Sequence, residues 1–185
     1  MSLEHAILGF LSSQPLSGYD LKKIFDTSVS HFWPADQSQI YRTLGRLVDN
    51  GWAEMEVVNQ SDRPDRKVYG PTPAGRAELL RWLEAELPLA PTRSPEMIQV
   101  FFASRLADDQ VLAMFERVAA QMRSGISAYD AIPQDITAYQ DYTRSPREFY
   151  FWMLTLEIGK MQLRANLDWI ENMIQRIRDG EVPQS

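Results

Sequence analysis

The chain has 185 residues, 44% of them apolar, which is enough for one domain or two small ones with a real core. It has no cysteine, which excludes disulfides and thiolate metal sites, and no apolar run reaches the roughly 18–20 residues of a membrane span. The formal net charge is −6, with −3 in residues 1–90 and −3 in the remainder, so bulk charge does not mark out a nucleic-acid surface.

The first two elements in the chain are predicted helices. Residues 2–13 repeat apolar side chains at helical spacing, and Pro15, which lacks an N–H, ends this helix. A second helix opens at Ser17-Gly18 and is ended by Trp33-Pro34. Its apolar stripe is Leu21, Ile24 and Phe25, and its outward face carries Tyr19, Lys22 and Lys23.

A third helix follows and is the most informative segment of the chain. It begins at Asp36 or Ser38, either of which can serve as the N-cap, and it ends at Asn50-Gly51. Ile40, Leu44 and Leu47 form an apolar stripe. Such a helix can donate to phosphates and read base edges, although in isolation the pattern is more typical of a solvated surface helix. The polar face carries Ser38, Gln39, Tyr41, Arg42, Thr43 and Arg46.

A β-hairpin and a fourth helix are predicted next. Residues 52–58 partly alternate apolar and polar, residues 59–64 form a polar turn, and residues 66–69 form the returning strand, which Gly70-Pro71 ends. The fourth helix begins behind Thr72 and runs to about Leu87. Its predicted inward positions are Ala77, Leu80 and either Leu83 or Trp82, and the hairpin carries three cations, Arg63, Arg66 and Lys67.

Three helices, a two-stranded hairpin and a further helix are typical of a winged helix-turn-helix, which we predict for residues 1–88. In such a fold the second helix supports the third, the third helix enters the DNA groove, and the cations of the hairpin contact phosphates. Two alternatives stay open at this point. The hairpin cations can be ordinary surface charge, and winged-helix units also serve as protein-interaction modules without a DNA role.

Short motifs in these residues resemble the PadR family of bacterial transcriptional regulators, and the resemblance covers about residues 3–82. The motifs are Leu8-Gly9-Phe10-Leu11, Ser17-Gly18-Tyr19-Asp20-Leu21, Gln39-Ile40-Tyr41-Arg42-Thr43-Leu44, Leu47-Val48-Asp49-Asn50-Gly51-Trp52, Arg66-Lys67-Val68-Tyr69 and Thr72-Pro73-Ala74-Gly75-Arg76.

The resemblance implies a repressor-like homodimer on an inverted-repeat DNA operator. It assigns Tyr41 to the recognition helix, and it places Tyr19 and Lys22 near the DNA backbone. Gln39 and Arg42 match the polar neighbours of that tyrosine. One departure concerns the hairpin, because Pro71 stands where the family often has leucine, so we expect the second strand to end early.

The C-terminal half reads as a second, helical domain over residues 94–180, after a proline-rich linker at 88–93. One helix opens at Ser94-Pro95 and another at Asp108-Asp109, and residues 134–143 form either a short helix or a loop. Their apolar positions are Met97, Val100, Phe101 and Leu106 in the first helix, and Val111, Leu112, Phe115, Val118, Ala119 and Met122 in the second.

A long terminal helix is predicted from Ser145, an N-cap with Glu148 three residues later, to about Arg178. It carries a heptad-like seam and a wide apolar arc around it, which favours homodimerisation in addition to packing within its own domain. The alternative is a core helix alone. The predicted dimer contacts are Phe149, Trp152, Leu156, Leu163, Leu167, Ile170, Ile174 and Ile177.

The length of this helical half resembles the longer PadR subgroup, whose tail is similar to the C-terminal domain of virulence activators. That resemblance suggests a small aromatic or amphipathic effector. Side chains that can line such a site, although each is more often core, are Trp33, Trp152, Trp169, Tyr150 and Met153.

Other classes of function find little support in the sequence. There is no glycine-rich phosphate loop, no His-x-x-His pattern and no arrangement of Ser, His and Asp that indicates catalysis. We therefore expect a mostly α protein with a small β-hairpin that is not an enzyme and holds no cofactor or metal. Because no signal peptide or membrane span is evident, the expected location is the cytoplasm.

Overall fold

The computed structural model describes residues 2–59, 65–86, 93–140, 142–143 and 145–183. It divides into two compact units, one comprising Met1–Pro88 with Tyr139–Ser145 and the other Leu89–Ala138 with Pro146–Ser185. The architecture is mostly α with one small antiparallel sheet, as predicted. Residues 87–92 lie outside the described residues, so the linker limits stay a prediction.

The first unit contains four helices: α1 at Ser2–Ser13, α2 at Gly18–Thr27, α3 at Gln37–Asp49 and α4 at Pro73–Glu84. The first three begin where the periodicity and cap signals predict, but α2 ends at Thr27 and not at Trp33-Pro34, because the backbone forms turns over residues 28–32. Ser17 caps α2, Asp36 rather than Ser38 caps α3, and Gly51 follows α3 with a φ of 70°, as a C-terminal glycine should.

The sheet of the first unit has three strands rather than two. The strands β1 at Leu16–Ser17, β2 at Ala53–Val58 and β3 at Arg66–Pro71 lie in the order β1-β3-β2. Two-residue β1 pairs with Val68 and Tyr69 in the middle of β3, and β3 pairs along its whole length with β2. We refer to the β2–β3 hairpin, residues 53–71, as the wing.

The expectation that Pro71 shortens β3 is wrong. The backbone N–H of Thr72 donates to the carbonyl of Trp52 at 3.0 Å. Since hydrogen-bonded and non-hydrogen-bonded pairs alternate, the preceding Ala53–Pro71 pair is of the non-hydrogen-bonded kind. The backbone nitrogen of Pro71, which carries no hydrogen, therefore points away from β2. It faces the side of β1, whose pairing with β3 ends at Tyr69. No ladder bond is lost.

The core of the first unit lies under α1, α2 and α3. Tyr142, from the segment that returns to this unit, packs against it. Its buried apolar residues are Ile7, Leu8, Leu11, Leu16, Leu21, Ile24, Phe25, Ile40, Leu44, Leu47, Ala53 and Tyr69.

Helix α4 turns a different face inward from the one predicted. Leu80 and Leu83 are 60% and 62% exposed, and Ala77 is also exposed. A Cβ at Gly75 would overlap the backbone oxygen of Trp52, so the helix backbone approaches the chain closely there and sets its rotation. The side that faces inward carries Gly75, Glu78, Leu79 and Trp82, so of the predicted positions only Trp82 is right.

The second unit contains α5 at Pro95–Phe101, α6 at Asp108–Asp130 and α7 at Pro146–Arg178. Between α6 and α7 a 3-10 turn at Ile136–Tyr139 settles the segment that the sequence left as helix or loop. Ion pairs Glu116–Arg178, Arg123–Glu171 and Asp130–Lys160 show that α6 and α7 run antiparallel. The predicted inward positions of α6 all belong to the resulting core: Val111, Leu112, Phe115, Val118, Ala119 and Met122.

The predicted dimer seam on α7 needs a correction. Ile170 and Ile174 are buried against α6, and Leu167 and Ile177 pack on the same cluster. These four side chains are occupied within their own chain, so they do not form a free face. Phe149, Trp152, Leu156 and Leu163 are half-buried. The exposed apolar side chains of α7 are instead Tyr150, Phe151, Leu154, Ile158, Met161 and Trp169.

Candidate nucleic-acid interface

The outer face of α3 is polar, open and opposite a fully buried stripe. Ile40, Leu44 and Leu47 are each 0% exposed, which fixes the rotation of the helix. Ser38 and Arg42, one turn apart, lie on the exposed side. Arg42 forms no ion pair within the described part of the chain. A hydroxyl and a free guanidinium are thus presented side by side to solvent.

Gln39 has two roles that use different ends of its side chain. Its Oε1 accepts from the backbone N–H of Asp36 at 2.9 Å, while its own backbone N–H donates to the Asp36 carboxylate at 2.7 Å. This reciprocal cap fixes the first turn of α3. The amide nitrogen of Gln39 stays exposed and can donate outward, so the predicted reading role is compatible with the cap.

Thr43 does not belong to the open face, and Arg46, although its side chain is 60% exposed, has partners within the unit. Thr43 is 1% exposed, and its hydroxyl accepts from Nη2 of Arg46 at 3.0 Å. Nε of Arg46 lies 3.2 Å from the carboxylate of Glu4, a side chain in α1 that is almost completely buried. A buried carboxylate needs a charged partner, so Arg46 ties α3 to α1. The structure corrects the placement of Thr43 on the polar face, whereas the DNA contact of Arg46 stays a prediction.

Tyr41 bridges three elements. Its ring covers Gly18 at the start of α2 so closely that a Cβ there would lie 2.5 Å from Cε1. Partial burial, followed by the neighbouring Tyr41 phenol, raises the pKa of Tyr69 in β3. Tyr41 is nevertheless 43% exposed. One side of the ring thus fixes the angle between α2 and α3, and the other is available to a partner.

The side chains predicted to contact phosphates from α2 differ in availability. Tyr19 is 68% exposed. Lys22 pairs with Asp26 one turn later, whereas Lys23 is exposed and forms no ion pair among the described residues. Of the two lysines, Lys23 is therefore the one whose charge is free.

The wing presents fewer free cations than the sequence suggests. Arg63 lies outside the described residues. Nη2 of Arg66 pairs with the carboxylate of Asp20 in α2, and Lys67 is exposed and free of ion pairs within the described ranges. Asp20 is a residue that sequence reasoning passed over. Its signals in the sequence are its place in the motif Ser17-Gly18-Tyr19-Asp20-Leu21 and the spacing Ser17-x-x-Asp20, which is typical of a capping box.

In the described part of the chain, two of the residues suggested for an effector site border different cavities. Trp169 borders a cavity of 410 Å³ between α5, α6 and α7, and Met153 borders another, of 680 Å³, between Tyr129 and α7. Trp33 belongs to the first unit. Among the residues that the structure describes, no cluster of His, Asp and Glu can hold a metal ion, and no helix is long and apolar enough to cross a membrane.

Comparison with known protein families gives one match to each unit. The family described as the transcriptional regulator PadR-like family matches residues 7–81. The family described as the virulence activator alpha C-terminal domain matches residues 92–178.

Two relatives extend the comparison. The probable transcriptional regulator Rv1176c of Mycobacterium tuberculosis is 52% identical over 50% of this chain and 48% of its own length. The negative transcriptional regulator PadR of Bacillus subtilis is 28% identical over 95% of this chain and 97% of its own.

Solved structures show the same likeness over nearly the whole chain. The crystal structure of Bacillus subtilis PadR in complex with operator DNA has a TM-score of 0.81 at 26% identity and covers 96% of this chain and 99% of that one. The same protein in complex with p-coumaric acid has a TM-score of 0.74 at 26% identity, with the same coverage. The Vibrio cholerae virulence activator AphA shares the fold, with a TM-score of 0.73 at 23% identity over 96% of this chain and 98% of that one.

Proposed function

Because the chain belongs to the PadR-like family of transcriptional regulators, in its long subgroup with a virulence activator C-terminal domain, we propose that it represses transcription by binding an inverted-repeat operator as a homodimer. The observation that carries the proposal is the outer face of α3, where Ser38, Gln39 and Arg42 are exposed beside Tyr41. Within the described part of the unit, these groups are used by the cap of Gln39 and by the Tyr41 ring, which covers Gly18 and neighbours Tyr69.

Base contacts in this proposal come from Gln39, Tyr41 and Arg42. Arginine and glutamine form bidentate pairs with purine edges in the major groove, each worth roughly 1–3 kcal/mol of discrimination. Phosphate contacts come from Tyr19, Lys23 and Lys67, and Lys22 joins them if it exchanges Asp26 for a phosphate. Few free cations in a chain of net charge −6 imply a shallow dependence of affinity on salt.

The homodimer is proposed from the second unit, whose exposed apolar side chains suit a second copy of the chain. Two copies of α3 related by a two-fold axis reach successive major grooves when they lie about 34–36 Å apart. An effector that changes this spacing would release the operator, and the complex of Bacillus subtilis PadR with p-coumaric acid supports a small aromatic ligand. We place the protein in the cytoplasm and assign it no catalytic activity.

The test is selection of bound fragments from genomic DNA, followed by titration of the enriched sequence. We expect an inverted repeat, and we expect Arg42→Ala to weaken binding by roughly tenfold or more. Arg117→Ala removes the same charge from an exposed position on α6 and serves as the control. Recovery of no enriched sequence would favour the protein-interaction module, and equal effects of the two variants would remove α3 from the contact.

A further inference from the structure

The carboxylate of Asp20 collects three donors on a single oxygen. Its Oδ2 accepts from the backbone N–H of Ser17 at 2.9 Å, from the Ser17 hydroxyl at 2.5 Å and from Nη2 of Arg66. The first two contacts close the cap of α2. The third comes from β3, 46 residues further along the chain. Asp20 therefore joins the start of the supporting helix to the wing.

The sheet brings these residues together. Strand β1 runs directly into α2, and it pairs Leu16 with Tyr69 and Ser17 with Val68. Arg66 lies two residues before Val68, on the same side of β3, because side chains alternate along a strand. The ion pair thus adds a contact beyond the two paired residues that join β1 to β3. The wing is also anchored through Ala53 and Tyr69, which belong to the core of the unit.

The charge state of Asp20 supports a lasting contact. Partial burial raises the pKa of this carboxyl, but the hydrogen bonds from Ser17 and Arg66 outweigh burial and hold the pKa below its usual value. Asp20 is consequently ionised at neutral pH. The positive charge of Arg66 is already matched within the chain, unlike that of Lys67.

We propose that Asp20 is a positioning residue for operator binding: it holds Arg66, and with it the wing, against the start of α2. In this arrangement Arg66 acts through Asp20, and its neighbour Lys67 contacts the phosphate. The proposal rests on the proposed function, since it concerns the same DNA interface. If Arg66 contacted a phosphate instead, the substitution Asp20→Asn would change the operator affinity in the opposite direction.

Two substitutions in α2, each of which removes one negative charge, distinguish these two roles of Arg66 by the direction in which they change operator affinity. Asp26→Asn frees Lys22 and makes the helix less repellent to phosphate, so we expect binding about twofold tighter. Asp20→Asn keeps an oxygen for Ser17 but loses the ionic contact with Arg66. We expect it to weaken operator binding by about five- to tenfold. If Arg66 instead contacted a phosphate, Asp20→Asn would release it and tighten binding.

The salt dependence of affinity separates the two cations of the wing. Lys67→Ala should reduce the slope of log K against log salt by about 0.9, the value for one lost phosphate contact. Arg66→Ala should weaken binding while leaving the slope unchanged, and the Asp20→Asn/Arg66→Ala double variant should be no weaker than either single one. Arg66→Lys, which keeps a cation, should restore part of the affinity. A reduced slope in Arg66→Ala overturns the proposal.

Hydrogen exchange in the DNA-free protein distinguishes failure of this proposal from failure of the proposed function. We expect the amides of Leu16 and Tyr69, which join β1 to β3, to exchange faster in Asp20→Asn and Arg66→Ala than in the wild type. The amides of Glu56 and Val68, which join β2 to β3, are the internal reference and should not change. Unchanged exchange at Leu16 and Tyr69 overturns the positioning role, whereas absence of operator binding by the wild type overturns the proposed function.

Discussion

The two units of this chain differ greatly in how completely they bury their apolar core residues. In the first unit, the core under α1, α2 and α3 is buried almost completely, and Leu8, Leu21 and Ile40 are 0% exposed. In the described part of the second unit, the buried apolar residues are only Phe115, Ala119, Ile170 and Ile174. Phe101 and Phe151 remain 79% and 51% exposed.

The exposed surfaces of the two units also differ in polarity. The first unit exposes a polar face on α3, and its exposed apolar side chains are dispersed over several elements, among them Phe32, Met55, Val57, Leu80 and Leu83. The second exposes aromatic and aliphatic side chains along α5 and α7. Apolar faces of this extent mark protein contacts, whereas a polar helix face suits a nucleic acid. The difference supports the proposal that the first unit binds the operator and the second unit forms the homodimer.

The largest effect on stability should come from truncating a side chain in the buried core of the first unit. Leu44→Ala removes a side chain with no solvent exposure from the centre of the first unit, and we expect it to lower the free energy of unfolding by about 3 kcal/mol. Urea unfolding followed by circular dichroism measures this. Leu80→Ala, on the exposed side of α4, is the control and should cost below about 1 kcal/mol. Similar costs would contradict the rotation of α4 described above.

The exposed apolar side chains of α7 in the second unit predict a change in the dimer dissociation constant when they are replaced. Phe151→Ser with Ile158→Ser replaces two exposed side chains seven residues apart on one face of α7. We expect the dimer dissociation constant, measured by sedimentation velocity, to rise at least about tenfold, equivalent to about 1.4 kcal/mol. Val57→Ser changes a similarly exposed residue on β2 and should have no effect. An unchanged constant in the double variant would remove α7 from the interface.

The parts of the fold that the sequence predicted are those with a local signal. Helices α1, α2 and α3 combine apolar periodicity with cap residues, and the inward positions of α6 follow the same period. Strand β1 has two residues and no periodicity, because pairing with β3 alone defines it. The rotation of α4 could not be read from its apolar positions, since a contact between Gly75 and the backbone of Trp52 decides it.

The candidate site shows the same limit. The sequence identifies Arg42, Arg46 and Arg66 as equivalent cations near the predicted reading helix and wing. Their partners lie far along the chain: Glu4 for Arg46 and Asp20 for Arg66. Only the folded structure shows that two of the three guanidinium groups are already engaged. Local patterns therefore indicate a candidate interface but do not tell which of its charges are free.

A glycine on the open face of α3 allows a finer test of what that face binds. Gly45 follows Arg42 by three residues on the exposed side, and a Cβ there would have no neighbour within 4 Å. Gly9 in α1 is equally unhindered. We expect Gly45→Ala and Gly9→Ala each to stabilise the fold by up to about 1 kcal/mol. Gly45→Ala alone should weaken operator binding in titrations, because the added methyl meets the DNA. Equal affinities would mean that DNA does not approach Gly45.

The smallest effect concerns the acid stability of the first unit. Hydrogen bonds from Arg81 and then from His5 lower the pKa of Glu78 from 4.5 to about 2. This carboxylate links α1 and α4, since Nε2 of His5 lies 3.0 Å from it while the imidazole stacks on Trp82. A group with a depressed pKa contributes stability above its unfolded pKa and loses it as the pH falls through the folded value. Melting temperatures of the wild type should therefore decline between about pH 4.5 and pH 2 more steeply than those of Glu78→Gln, which has no charge to lose. Parallel curves would mean that this link between α1 and α4 contributes nothing ionic to the stability of the first unit.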